Sequence, residues 1–167
     1  MRKFDALGLH LAEFQGEIFE KSVDRYDCSS LIFLRRFMHS EYSYVLDKAS
    51  VNTLFDAEAA FQSIEKEFGP TSYGKVKYSK NAMYWLGYIY RYICYTREIG
   101  TKKAFKLMGP KELISHYYVY HTQSEEWVIA RILEIKNKDE GYLDKNINLK
   151  RLMLENYIKR GIIKLDK

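Results

Sequence analysis

The chain lacks the features that mark exported, membrane-bound and disulfide-rich proteins. Its two cysteines, Cys28 and Cys94, lie far apart without a C-x-x-C or zinc-ligand spacing, so we expect free thiols in a reducing compartment. Residues 1–14 contain neither an uninterrupted apolar run nor a small-residue cleavage site, so they do not resemble a secretory signal. The longest apolar segment, 82–96, carries Arg91 and is shorter than the about 20 residues that a bilayer requires. The sequence therefore predicts a cytoplasmic protein that does not enter a membrane.

Internal repeats, low-complexity tracts and sustained strand patterns are also missing. Apolar residues instead recur at three- and four-residue spacing, which is typical of amphipathic helices. With 167 residues, 47% of them hydrophobic, the chain is long enough for one compact domain with its own core. We therefore predict an all-α fold in a single domain, residues 1–167, with about seven to eight helices. The short apolar segments 117–120 and 162–165 are the places where a minor strand pair could form.

Capping residues and glycines set the expected helix boundaries. Asp, Ser and Thr side chains precede many of the periodic segments, and Gly69 with Pro70 marks one helix end. We expect a long helix that begins after Ser79 and ends at Gly100, and a further helix that Thr101 caps. The predicted helices cover residues 4–23, 31–38 with a short continuation to 45, 56–68, 80–99, 102–108, 111–118, 123–133 and 149–160, and residues 136–148 are predicted to form a loop.

Carboxylates are nearly absent from residues 70–111, where nine lysines and arginines accompany a single acid, Glu98. The rest of the chain contains 18 basic and 21 acidic side chains. Such a concentration of positive charge attracts phosphates or acidic protein surfaces. One hypothesis is therefore a nucleic-acid-binding protein, an autoregulator or a ribonuclease, which contacts phosphates through Lys75, Lys77, Lys80, Lys102, Lys103 and Lys106.

No complete catalytic, cofactor-binding or metal-binding constellation is recognisable, so we predict neither a cofactor nor a metal ion. A ribonuclease needs an arginine and a histidine close together, and Arg35 and His39 share a helix face at four-residue spacing. The more common interpretation of such a pair is a solvated basic edge. The sequence favours a protein without enzymatic activity.

Tyrosine is abundant, with fifteen residues in the chain. Tyr84, Tyr88, Arg91 and Tyr95 lie at positions i, i+4, i+7 and i+11, so a helix places them in one stripe. The stripe forms either the edge of the core or a recognition surface. The second interpretation is considered because Tyr and Arg are enriched at binding hot spots. Under the second interpretation, the candidate partner-binding residues are Tyr84, Tyr88, Arg91, Tyr95, Tyr120 and His121.

Four segments of the chain resemble an uncharacterised bacterial family of small helical proteins. They read FLRRFMHSE, YWLGYIYRYICY, KLMGPKEL and YYVYHT, and they cover Phe33–Glu41, Tyr84–Tyr95, Lys106–Leu113 and Tyr117–Thr122. Members of that family are encoded in cassettes resembling toxin–antitoxin modules, including ones with ADP-ribosyltransferase-like toxins. The resemblance implies a partner-binding role, with a cognate toxin or another cassette protein as the partner, and it supplies no catalytic motif. Our main hypothesis is therefore a non-enzymatic protein-interaction module, the antitoxin or accessory component of a toxin–antitoxin or defence-type cassette.

Overall fold

The structure is a computed structural model that describes residues 2–136. Every regular element in these residues is helical and no strand occurs among them, which confirms the predicted all-α class. No helix in this part of the chain is long and apolar enough to cross a membrane. The helices are α1 (Ala6–Arg25), α2 (Ser30–His39), α3 (Glu41–Asp47), α4 (Ala57–Phe68), α5 (Lys80–Arg97), α6 (Thr101–Leu107), α7 (Pro110–Ser115) and α8 (Tyr117–Tyr120), and residues 125–136 are also helical.

The chain divides into two compact units, residues 1–126 and residues 127–167. The first unit contains α1 to α8. In the second, the described residues 127–136 are helical and bury Val128, Ile129 and Ile132. The rest of the loop predicted from 136, the helix predicted at 149–160 and the apolar segment 162–165 lie outside the described residues. The single domain over residues 1–167 stays a prediction.

Side-chain caps begin four of the helices, and the sequence predicts the starts at Ser40 and Ser79. The Asp5 carboxylate accepts a hydrogen bond from the Gly8 amide at 3.0 Å, and the Ser40 hydroxyl accepts one from the Ser43 amide at 3.1 Å. Asp56 at the start of α4 and Ser79 at the start of α5 do the same for amides in the first turn of their helices. Such bonds satisfy amides that a helix leaves unpaired at its start.

The structure corrects three details of the predicted boundaries. Helix α5 ends at Arg97, because Glu98 adopts a left-handed conformation (φ 53°) and not because of Gly100. Thr101 is the first residue of α6, and its hydroxyl and amide both bond to Asp47 instead of capping the helix. The helix predicted at 111–118 is broken at His116 into α7 and α8, so the segment 117–120 is helical and forms no strand.

Helices α1 and α5 pack against each other with their backbones unusually close. A Cβ atom on Gly87 of α5 would lie 2.6 Å from the Gln15 carbonyl oxygen of α1, and one on Gly16 would lie 2.9 Å from the Tyr84 ring. The Gln15 side-chain amide donates to the Gly87 carbonyl at 3.0 Å across this contact. Glycine is therefore required at position 87, because the atom that a Cβ would meet belongs to the backbone.

We expect Gly87→Ala to destabilise the protein by about 1–3 kcal/mol, the usual cost of inserting a methyl group into a tightly packed contact. Urea unfolding followed by circular dichroism measures the change. Gly109→Ala is the matched control, since no atom lies within 4 Å of the added Cβ there. We expect its effect to stay below about 1 kcal/mol, because the lower entropy of the unfolded chain and the loss of a favourable N-cap residue oppose each other. Equal losses in the two variants would contradict the close contact.

Candidate protein-binding groove

The predicted aromatic stripe on α5 lies inside the protein and not on its surface. Twelve of the eighteen residues of α5 are buried, among them Arg91 and Tyr95, while Tyr84 and Tyr88 are half-buried. Tyr84 packs over Gly16 of α1, and the Tyr88 and Tyr95 rings contact the Phe4 ring. The stripe therefore forms the edge of the core, which was the first of the two interpretations that the sequence allows.

Arg91 is held by three side chains from three other helices. Its side chain is only 2% exposed, and Nη1 donates to the Asp47 carboxylate of α3 at 2.7 Å. Nε donates to the Gln15 side-chain oxygen of α1 at 2.9 Å, and Nη2 donates to the Thr101 hydroxyl of α6 at 3.1 Å. A buried charge needs such partners, because removal from water without them costs several kcal/mol. Arg91 is therefore a structural residue in this conformation.

Two further candidates for partner binding, Tyr120 and His121, belong to the region of α8. Tyr120 is buried, with its ring stacked on His116 at a centroid distance of 4.9 Å. His121 is exposed, and its Nδ1 lies 2.7 Å from the Tyr117 carbonyl oxygen. Of the six predicted partner-binding residues, only His121 is thus classed as exposed.

The six predicted phosphate-binding lysines are all exposed, but they do not form one patch of free charge. Lys77 donates to the carbonyl oxygens of Val23 and Tyr26 at the end of α1, and Lys80 pairs with Asp24. The other four form no ion pair within residues 2–136. They are Lys75, in the segment before α5, and Lys102, Lys103 and Lys106 on α6.

A groove of about 690 Å³ lies between α1, the start of α4 and residues 53–55 of the loop before α4. Its floor is aromatic. The Phe55 ring contacts the His10 ring edge-on at a centroid distance of 4.8 Å. It also contacts the Phe14 ring, which is tilted against it, at a centroid distance of 5.0 Å. The backbone that carries Phe55 is ordered locally, since the Ser50 amide donates to the Thr53 hydroxyl at 2.9 Å and the Thr53 amide donates to the Ser50 carbonyl.

The rim of the groove carries four carboxylates and one lysine, so we call it the acidic groove. The charged residues are Glu13, Glu17, Asp56, Glu58 and Lys21. Glu58 is bound by Arg25 at 3.0 Å, and Glu17 pairs with Lys21 at 3.5 Å in an exposed contact that contributes little stability. Glu13 has no ion pair with any described residue. The groove therefore presents excess negative charge beside an aromatic floor.

Next to the aromatic floor of the groove, the loop between α3 and α4 exposes apolar side chains to solvent. Leu54 is 94% exposed and lines the groove, and Val51 in the same loop is 80% exposed. Full burial of one such side chain is worth about 1.5–3 kcal/mol. Adjacent exposed apolar side chains beside a concave surface are typical of protein-interaction sites.

Sequence reasoning did not identify this groove, because its parts lie on two separated segments of the chain, residues 10–21 and 53–61. The only signal available was the unusual sequence of the loop, where Val51, Leu54 and Phe55 interrupt an otherwise polar connection. Helical spacing does place His10, Glu13 and Glu17 on one face of α1, but it cannot show which segment lies opposite.

The comparisons with known proteins found no relative. No protein family matches the chain, and no curated protein and no solved structure matches it significantly. The resemblance to the cassette-encoded bacterial family stays a prediction.

The pKa of Asp5 tests the hydrogen bond between Tyr95 of α5 and Asp5 at the start of α1. The Tyr95 hydroxyl donates to the Asp5 carboxylate at 2.5 Å, and this bond, followed by the one from the Gly8 amide, lowers the pKa of Asp5 below 3.8. We expect Tyr95→Phe to raise the pKa of Asp5 towards 3.8, measured by NMR titration of the side-chain carboxyl carbon. Because the folded pKa is lowered, the bond stabilises the protein above the unfolded pKa, and this stabilisation is lost as the pH falls through the folded pKa.

Tyr88→Phe is the control for this measurement, since Tyr88 lies on the same helix and has no hydrogen bond to Asp5. We expect it to leave the pKa of Asp5 unchanged. A Tyr95→Phe variant with the wild-type pKa of Asp5 would contradict the contact.

Proposed function

We propose that this protein is a protein-interaction module and that it binds a cationic, amphipathic segment of a partner protein in the acidic groove. The observation that carries the proposal is the almost complete exposure of Leu54 beside an aromatic floor and excess carboxylates. Apolar side chains of the partner would cover Leu54 and Phe55, while its lysines or arginines would meet Glu13 and Glu17.

The chemistry of the groove favours a positively charged partner over other ligands. Negative charge at the rim repels phosphates and steers cationic surfaces towards the site. The length of α1 between His10 and Lys21, about 16 Å at 1.5 Å per residue, matches roughly three turns of a partner helix. An amphipathic helix is a common ligand of such grooves.

The partner that we propose is another protein of the same genetic cassette. Support for this comes from the resemblance to a family that is encoded beside toxin-like proteins. The chain would then be the antitoxin or accessory component, and the cassette protein would supply the cationic segment.

The proposal predicts that two substitutions in the groove, combined in one variant, weaken binding of the partner so that it is no longer captured. Leu54→Ser removes the exposed apolar contact and Glu13→Lys reverses an unpaired charge, and neither side chain supports the core. The matched control combines Val76→Ser and Glu98→Lys, which change one aliphatic residue and one glutamate at exposed positions outside the groove. Tagged wild type, groove variant and control are used to capture proteins from nuclease-treated host cells, and mass spectrometry identifies what each retains.

We expect one protein to be retained by the wild type and the control and lost from the groove variant. With that partner purified, calorimetry should give at least about a tenfold weaker Kd for the groove variant, because loss of one buried leucine contact costs at least about 1.5 kcal/mol. A partner that binds all three proteins equally, or no partner at physiological salt, would refute the proposal.

A further inference from the structure

A second concave surface, the arginine cleft, lies between α2 and the segment that follows α4. It encloses about 550 Å³, which is within the range of small-molecule sites. Its walls contain two arginines, a histidine and two aromatic rings but no carboxylate. The lining residues are Ile32, Arg35, Arg36, His39, Phe68, Thr71 and Tyr73.

Arg36 forms a fixed wall of the arginine cleft. Its Nη1 donates to the Gly69 carbonyl at 2.6 Å and its Nη2 donates to the Phe68 carbonyl at 3.3 Å. These bonds satisfy carbonyls that α4 leaves unpaired at its end. Arg36 therefore joins the two sides of the cleft.

Arg35 is the free cation of the arginine cleft. Its side chain is exposed and forms no ion pair with any described residue. A guanidinium without a carboxylate nearby offers the paired N–H groups that bind phosphate oxygens in a bidentate manner.

His39 adds a second nitrogen at the same wall. Its Nδ1 lies 2.8 Å from the Arg35 carbonyl oxygen, and because a carbonyl can only accept, Nδ1 carries the hydrogen. The ring is positioned by an edge-on contact with Phe105 of α6 at a centroid distance of 5.4 Å. Nε2 is therefore left for a ligand, as an acceptor in the neutral ring and a donor in the protonated one.

Tyr73 combines an anchored backbone with a free ring. Its amide donates to the Thr71 hydroxyl at 3.2 Å, and its carbonyl accepts from the Ser29 amide at 3.1 Å. Gly74 follows with φ +77°, and a Cβ there would lie 2.7 Å from the Ser29 hydroxyl, so the segment runs close against the start of α2. The Tyr73 ring is nevertheless 76% exposed. An exposed ring on a fixed backbone is the form of a stacking platform for a nucleobase.

From these contacts we infer that the arginine cleft binds a nucleoside phosphate, with the phosphate on Arg35 and His39 and the base stacked on Tyr73. The nucleoside phosphate can be a free mononucleotide or one nucleotide of a single-stranded nucleic acid. Compared with the lysine set predicted from the sequence, the inference moves the centre of nucleic-acid binding to α2. It uses no residue of the acidic groove.

Fluorescence anisotropy with labelled eight-nucleotide oligouridylate and oligothymidylate at physiological salt tests the inference, with unlabelled adenosine monophosphate as a competitor. Arg35→Gln and Tyr73→Ser remove the proposed phosphate and base contacts, and both side chains are exposed, so the fold is kept. Lys21→Gln and Tyr118→Ser are the matched controls at exposed positions outside the cleft. Thermal unfolding of each variant verifies that it folds like the wild type.

We expect the wild type to bind, each cleft variant to bind at least about five-fold more weakly, and the controls to bind like the wild type. Arg35→Gln should also reduce the slope of log K against log salt by about 0.7, the value for one phosphate contact on a single strand. Displacement of the oligonucleotide by adenosine monophosphate identifies a mononucleotide site, and binding without displacement identifies a strand site. Absence of binding to both labelled oligonucleotides, together with no heat of binding of adenosine monophosphate in calorimetry, or equal binding by wild type and cleft variants, would overturn the inference.

The two sites are distinguishable in these experiments. The groove substitutions Leu54→Ser and Glu13→Lys should leave oligonucleotide binding unchanged, and Arg35→Gln should leave partner capture unchanged. Failure of one proposal therefore carries no consequence for the other.

Discussion

The structure of the first unit depends on one buried positive charge. Arg91 lies on α5, and its guanidinium is almost fully removed from water. It can remain charged there only because Asp47, Gln15 and Thr101 surround it with a carboxylate and two oxygen acceptors. Each of these three residues belongs to a different helix, so their bonds to Arg91 fix the positions of α1, α3 and α6 around α5. Among the described residues, no buried side-chain nitrogen or oxygen lacks a partner.

The same bonds position both candidate binding surfaces. Asp47 is the last residue of α3, and the loop that follows it carries Leu54 and Phe55 to the acidic groove. Thr101 is the first residue of α6, and four residues later Phe105 packs against His39 at the arginine cleft. The acidic groove combines negative charge with exposed apolar side chains. The arginine cleft combines an unpaired positive charge with an exposed tyrosine, so the two surfaces suit different ligands. A rigid helical framework thus separates two binding chemistries on one small unit.

Much of the helical framework could be predicted from the sequence because its signals are local. Asp56, Gly69 and Ser79 mark helix ends through bonds or conformations within one turn, and the structure places helix boundaries at each of them. The environment of Arg91 could not be predicted, because Asp47 and Gln15 are distant in sequence and approach it only when the helices pack. The spacing of Tyr84, Tyr88 and Tyr95 correctly predicts one stripe, but spacing alone does not show whether a stripe faces water or another helix.

The site residues were harder to predict for the same reason. Charge counting identified lysines that are indeed exposed, but it could not show that Lys77 and Lys80 already bind groups of α1. The sequence did place Arg35 and His39 on one helix face, but it could not show that Arg35 forms no ion pair with any described residue of the folded unit. The loop with Val51 and Leu54 became informative only when their exposure was known, because an isolated leucine in a sequence predicts burial.

A double-mutant cycle on Arg91 and Asp47 tests the central claim most directly. Urea unfolding is measured for the wild type, Arg91→Met, Asp47→Asn and the double variant. Asp47→Asn leaves Arg91 buried without its counter-charge, and Arg91→Met leaves Asp47, Gln15 and Thr101 without their common donor. We expect each single variant to lose about 3–5 kcal/mol, and the double variant should lose less than their sum by at least about 1 kcal/mol. Additive losses below about 1 kcal/mol for each single variant would contradict the account, because the helices would then be positioned without the buried ion pair.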